Sequence, residues 1–153
     1  MYNKINVVKY LIARGANVNN EENDRQENPL ANASFWGNVE IAEILVSAGA
    51  DITYDDYHTF KKACFNNRLD VVKYLYNQGV DVKKLKYTVL MTAIQYELIN
   101  IVKFLVEVGF RIESMHITRA RRSTTEIYNY ITNSNRGKDF LKCLAIKDYL
   151  VSL

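Results

Sequence analysis

The chain of 153 residues is 48% hydrophobic and 24% charged, proportions of one globular domain or a short repeat array that exclude an extended disordered polymer. Its net charge of +3 is uneven, with 4 basic and 6 acidic residues over 1–50, 7 and 6 over 51–100, and 9 and 5 over 101–153. No basic–apolar–small leader pattern and no apolar run near the roughly 18–20 residues of a membrane span occurs, and Cys64 and Cys143, without metal spacing, fit reduced thiols in a cytoplasmic protein.

In chain order, the first predicted helix lies in "NVVKYLIARGANV" (6–18). Val7, Tyr10 and Leu11 stand at i, i+3, i+4, an apolar stripe along one helix face. The acidic stretch "NNEENDRQEN" (19–28) follows and reads as a solvated loop. Next, "NPLANASFWGN" (28–38) holds the only proline. Asn28 suits an N-cap and Pro29 the first helical position, where its missing N–H is no loss. Phe35 and Trp36 are adjacent on this helix, so they cannot both face one core.

The stripe then recurs. "NVEIAEILVSAGADI" (38–52), "RLDVVKYLYNQGVDV" (68–82) and "LINIVKFLVEVGFRI" (98–112) carry Ile41/Ile44/Leu45, Val71/Tyr74/Leu75 and Ile101/Phe104/Leu105. Lys9, Glu43, Lys73 and Lys103 fall on the opposite side. Each helix ends four residues after its leucine, at Gly15, Gly49, Gly79 and Gly109, spaced by 34, 30 and 30 residues. Glycine is the residue for a left-handed C-terminal turn.

A second set of helices runs at the same period. Ala33, Ala63 and Ala93 are 30 residues apart, and Leu30, Phe60 and Leu90 precede them in inward-facing slots. The small alanines let paired helices approach closely. Thr88 is expected to cap its helix as Asn28 does, and Gly37 and Asn67 to turn the chain in the left-handed conformation. Glu97 stands in that turn position one period later, where a left-handed backbone is costly.

This pattern resembles the ankyrin repeat T-P-L-H-x-A-x-x-x-G-x-x-x-x-x-x-L-L-x-x-G-A-D-V. The likeness is carried by "NPLANASFWGNVEIAEILVSAGADI", "HTFKKACFNNRLDVVKYLYNQGVDV" and "TVLMTAIQYELINIVKFLVEVGF" and covers roughly residues 5–135. The compact 30-residue period with "DVVKYL" helices also resembles ankyrin arrays of amoeba-infecting giant viruses. The resemblance implies an all-α solenoid of helix-turn-helix pairs, with turns in place of most hairpin fingers. The histidine of T-P-L-H, which in the family helps tie neighbouring turns together, is missing, with Ala31, Lys61 and Met91 in its place, so those hydrogen bonds do not carry over to this chain.

A single domain over 1–153 is expected. It comprises a partial first repeat (1–19), clear repeats at 28–52, 58–82 and 88–112, a degenerate repeat at 114–135, and a C-terminal cap helix at 138–151. The cap helix would turn Phe140, Leu141, Leu144, Ala145 and Tyr149 inward. Residues 1–15 open directly into a second-type helix and read as an adapted cap, with self-association through this edge as the alternative to a monomer.

Catalysis has little to stand on. His58 and His116 sit at linker-to-helix positions suited to capping, and Cys64 occupies a slot for a small buried residue. No phosphate-binding glycine loop, nucleophile motif or metal-ligand spacing occurs, so no cofactor, metal or catalytic residue is expected. The resemblance instead implies a protein-interaction scaffold. Its contact positions map onto Phe35, Trp36, Phe65, Asn66, Gln95, Tyr96 and Arg122 at the ends of the first helices, with Tyr54, Tyr57 and Tyr87 in the turns. A host protein is one candidate partner, and an adaptor role toward the ubiquitin machinery an alternative. Nucleic acid or another acidic partner, bound by Arg119, Arg121, Arg122, Arg136 and Lys138, is the rival reading. Modest charge and the lack of a recognition motif weigh against it.

Overall fold

The computed structural model of the chain describes residues 2–19, 28–135 and 137–139. These residues are all-α, with no strand among them. They fall in two compact units, Met1–Val80 and Asp81–Leu153. The first holds α1 (Tyr2–Ala13), α2 (Pro29–Trp36), α3 (Val39–Ser47), α4 (Tyr54–Phe65) and α5 (Leu69–Asn77). The second holds α6 (Thr88–Gln95), α7 (Ile99–Glu107), α8 (Ser114–Ala120) and α9 (Thr125–Asn133).

Both units are built alike. In the first, α2 packs on α3 and α4 on α5, while α2 stacks on α4 and α3 lies between α1 and α5. In the second, α6 packs on α7 and α8 on α9, while α6 stacks on α8 and α7 on α9. Within each unit, first-type helices therefore lie in one layer and second-type helices in the other. Leu30, Phe60 and Leu90 are fully buried, as are Ala63 and Ala93, with Ala33 close behind. The second layer contributes Leu45, Leu75 and Leu105. The degenerate pair buries Ile117, Ala120, Ile127 and Ile131.

The turns repeat bond for bond. The amides of Asn38, Arg68 and Leu98 each donate to the carbonyl of Ala33, Ala63 or Ala93 at 2.9 Å. The residue between helix and donor is left-handed in all three: Gly37 (φ 77°), Asn67 (φ 55°) and Glu97 (φ 56°). At Gly37 a Cβ would also come within 2.7 Å of the Arg68 side chain. Second-type helices close in the same way, with Ala16, Ala50, Val80 and Phe110 donating to Leu11, Leu45, Leu75 and Leu105. The strained member is Glu97. Its replacement by Asn, which already serves at position 67, is expected to raise the unfolding free energy by about 0.5–1 kcal/mol. A urea midpoint at or below that of the parent protein would contradict strain at this turn.

Two local expectations meet a different structure, and one helix carries a feature that no expectation covered. Thr88 is the first helical residue of α6, not its cap. Tyr87 holds the cap position and makes no side-chain capping bond, whereas Asn28 accepts the Ala31 amide at 2.6 Å as expected. The stripe on α1 is not inward: Val7, Tyr10 and Leu11 are about half exposed, and Ile5 is the buried residue. Periodicity defines an apolar face, but packing on α3 alone covers only its Ile5 side. Finally, α4 contains a left-handed run at Asp55, Asp56 and Tyr57 (φ 46°, 53° and 60°), so its right-handed part starts at His58.

The acidic stretch 20–27, together with Arg136, Phe140, Leu141, Cys143, Leu144, Ala145 and Tyr149, lies outside the described residues.

Candidate functional site

The stacked first-type helices end at their left-handed turns, and the side chains just before each turn escape the core. In the first unit Phe35 is half-buried and Trp36 is 71% exposed. Their rings meet edge to face, with centroids 5.0 Å apart, the favoured geometry for an aromatic pair. Lys62 of α4 lies over the Phe35 ring, its Nζ 5.7 Å from the centroid. The Phe35 carbonyl accepts from Arg68 Nε at 2.9 Å. Phe35 is therefore held from several sides, which leaves the indole as the outward group.

One period on, Phe65 is 40% exposed beside Asn66. The Asn66 side-chain Nδ2 donates to the Lys62 carbonyl at 2.8 Å, closing the end of α4. Tyr54 and Tyr57 are half-buried in the preceding turn. In the second unit Gln95 is exposed, Tyr96 is 64% exposed, and Tyr87 is exposed ahead of α6. Arg122 is exposed and borders an open groove of about 460 Å³ with Arg119, Met91, Met115, Ser114 and Thr118. Flexible thioethers beside guanidinium groups suit adaptable contact with peptide.

Among the described residues, the thiol, imidazole and carboxylate groups singled out by the sequence have these settings. Cys64 is fully buried, and burial pushes its thiol far above the ordinary range, so it is a packing residue. His58 Nδ1 lies 3.7 Å from the Asp55 carboxylate. Burial, then the Lys62 charge, hold its pKa below the usual histidine value against the opposing pull of Asp55. Asp51 accepts from the amide and hydroxyl of Thr53, both at 2.7 Å, and Asp81 from the Lys83 amide at 3.0 Å. Among the described residues no group of three His, Cys, Asp or Glu side chains is placed to hold a metal. No described helix is long and apolar enough to cross a membrane.

The missing turn-to-turn histidine has substitutes that sequence reasoning did not find. Asn19 donates to the Gly49 carbonyl and accepts from the Asp51 amide, both at 2.8 Å. Arg68 reaches Phe35, as above. In the second unit His116 is fully buried. Its Nδ1 accepts the Glu113 amide at 2.9 Å, which leaves Nε2 to carry the proton and donate to the Tyr87 carbonyl at 3.0 Å. These side chains bond to partners 29 to 33 residues away. That near-constant spacing was the available signal.

The family model for ankyrin repeats, in three copies, matches residues 1–56 and 59–116. No curated protein matches the chain.

Proposed function

Because the chain belongs to the ankyrin-repeat family, we propose that it is a non-catalytic scaffold whose first-type helix ends and turns bind a segment of a protein partner. Ankyrin repeats mediate protein–protein interaction, and repetition gives them extended surfaces for that purpose. The observation that carries the reading is the recurrence of exposed large apolar groups before the turns: Trp36, Phe65 and Tyr96. The core does not use them, and aromatics with arginine dominate binding energy at interfaces. Phe35, Asn66, Gln95, Tyr54, Tyr57, Tyr87 and Arg122 complete the proposed contact set.

The 30-residue period and the "DVVKYL" helix support kinship with the arrays of amoeba-infecting giant viruses. On that reading the partner is a host protein met in the cytoplasm, the ubiquitin machinery being one class to test. The test is partner capture by the parent protein against Trp36→Ala and Tyr96→Ala. Each substitution is expected to weaken binding by about 30-fold, the loss of a hot spot worth about 2 kcal/mol, with far-UV circular dichroism unchanged. Full binding by both variants would remove the contact set. The rival, an acidic nucleic-acid partner on the basic last third, predicts a steep salt dependence instead.

A further inference from the structure

In the second unit the open groove of about 460 Å³ runs between the stacked helices α6 and α8. Met91 lines it from α6, and Ser114, Met115, Thr118 and Arg119 line it from α8. Arg122 joins them from the turn after α8. Both walls are helices of neighbouring repeats. The turn that carries Arg122 is held in place. Its amide donates to the Arg119 carbonyl at 3.0 Å, and the Ser123 hydroxyl donates to the Ile94 carbonyl at 3.3 Å, tying the end of α8 to α6. The two arginines therefore stand on ordered backbone, which lowers the entropic cost of binding.

The groove joins an apolar contact to a cationic one. Met115 is 39% exposed and precedes Arg119 by four residues, which sets the two roughly 6 Å apart on the helix surface. Among the described residues, Arg119 and Arg122 are the only charged groups that line the groove. No described carboxylate pairs with either of them. Glu113 faces Arg111 at 3.7 Å instead, and Glu126 faces Lys103 at 2.9 Å. The remaining sequence, residues 140–153, contains Lys142, Lys147 and Asp148, a composition that does not reverse this sign.

The geometry points to this groove as the docking site for an acidic linear segment of a protein partner. An apolar side chain of the segment would rest against Met91 and Met115. A neighbouring carboxylate would meet the guanidinium groups of Arg119 and Arg122, whose planar forks match two oxygens. The inference rests on the scaffold reading above and gives its second-unit surface a partner chemistry. Nucleic acid matches the groove less well: no aromatic ring lines it as a platform for a base, and thioethers suit apolar side chains.

The test uses the full chain and a displayed library of random linear peptides of about 12 residues, roughly 40 Å when extended. Peptides selected by the parent protein are expected to carry Asp or Glu close to Leu, Met or Phe. One such peptide, labelled with fluorescein, is then titrated at low ionic strength, where surface charge is least screened. Arg119→Glu, Arg122→Glu and Met115→Asp should each weaken its binding by at least about 10-fold. Met115→Asp places a carboxylate in the first turn of α8, where it favours the helix, so folding is preserved. Arg121→Glu makes the same change of charge at an exposed position outside the groove and should stay within about 3-fold of the parent. Selection of no peptide, or of neutral or basic ones, would overturn the proposal, as would equal losses in Arg121→Glu and Arg122→Glu. Tighter binding of an oligothymidylate of equal length, lost in the same variants, would assign the arginines to nucleic acid. Neutral peptides that depend on Trp36 or Tyr96 would remove the acidic partner and leave the scaffold reading standing.

Discussion

Leu75→Ala is expected to lower the unfolding free energy by about 2–5 kcal/mol, the range for emptying a closed leucine site. Leu75 is fully buried on α5, which packs on both α4 and α3, so the cavity opens where two helix layers of the first unit meet. Its backbone is equally committed: the Leu75 carbonyl accepts from Gln78 at 3.1 Å and from Val80 at 3.4 Å in the turn at Gly79. The backbone bonds survive the substitution, and the loss isolates side-chain packing. In a stacked array, stability is close to a sum of repeat and neighbour-interface contributions, and this residue acts on both. Thermal and urea unfolding followed by circular dichroism provide the measurement. Lys73→Ala, on the exposed face of the same helix, is the control and should stay within about 0.5 kcal/mol of the parent. A Leu75→Ala midpoint indistinguishable from the control would contradict the layered packing.

His116→Ala is expected to cost about 1–3 kcal/mol near neutral pH, because at a closed position it removes the acceptor of the Glu113 amide and one of the two donors to the Tyr87 carbonyl, which keeps the Met91 amide. The loss also depends on pH. Burial, the largest influence, holds the His116 pKa below its ordinary value of 6.5, outweighing the opposite pulls of the Tyr87 carbonyl and Glu113. The unfolded chain therefore takes up a proton near 6.5 while the folded chain does not. Stability from this residue is fully present above 6.5 and declines as pH falls below it. Protonation of Nδ1 would also break the bond from Glu113. The stability gap between the parent and His116→Ala should thus narrow from pH 7.5 to pH 5. Carboxylates common to both proteins cancel in that difference. A gap that widens with acid would mean that the imidazolium is favoured in the fold.

The repeated features were legible in the amino-acid sequence because four copies make the same choice. Gly15, Gly49, Gly79 and Gly109 all have positive φ, and the alanine slots at 33, 63 and 93 and the leucine slots of α3, α5 and α7 are all buried. Features that occur once were not legible. Asp55, Asp56 and Tyr57 carry no glycine to announce a left-handed backbone. His116 works through a partner 29 residues away and stands outside the family's histidine slot. The α1 stripe has the right period, but period identifies an apolar face without saying what covers it. For the contact set, the sequence identifies Trp36 as one of two incompatible neighbours; its environment required Phe35, Lys62 and Arg68 to be located first.

The left-handed run at 55–57 also governs phase. Helical hydrogen bonding cannot propagate backward through three residues of opposite hand, so the right-handed segment begins at His58 whatever chain precedes it. From His58 to Phe65 it is eight residues long, as α2 and α6 are, and it occupies the same repeat positions as α6. Residues spliced in between Asp51 and Tyr54 would be absorbed upstream of this reversal, leaving the angular setting of Phe60, Ala63 and Phe65 untouched. The connector can therefore change in length between related arrays without rotating the helix it leads into.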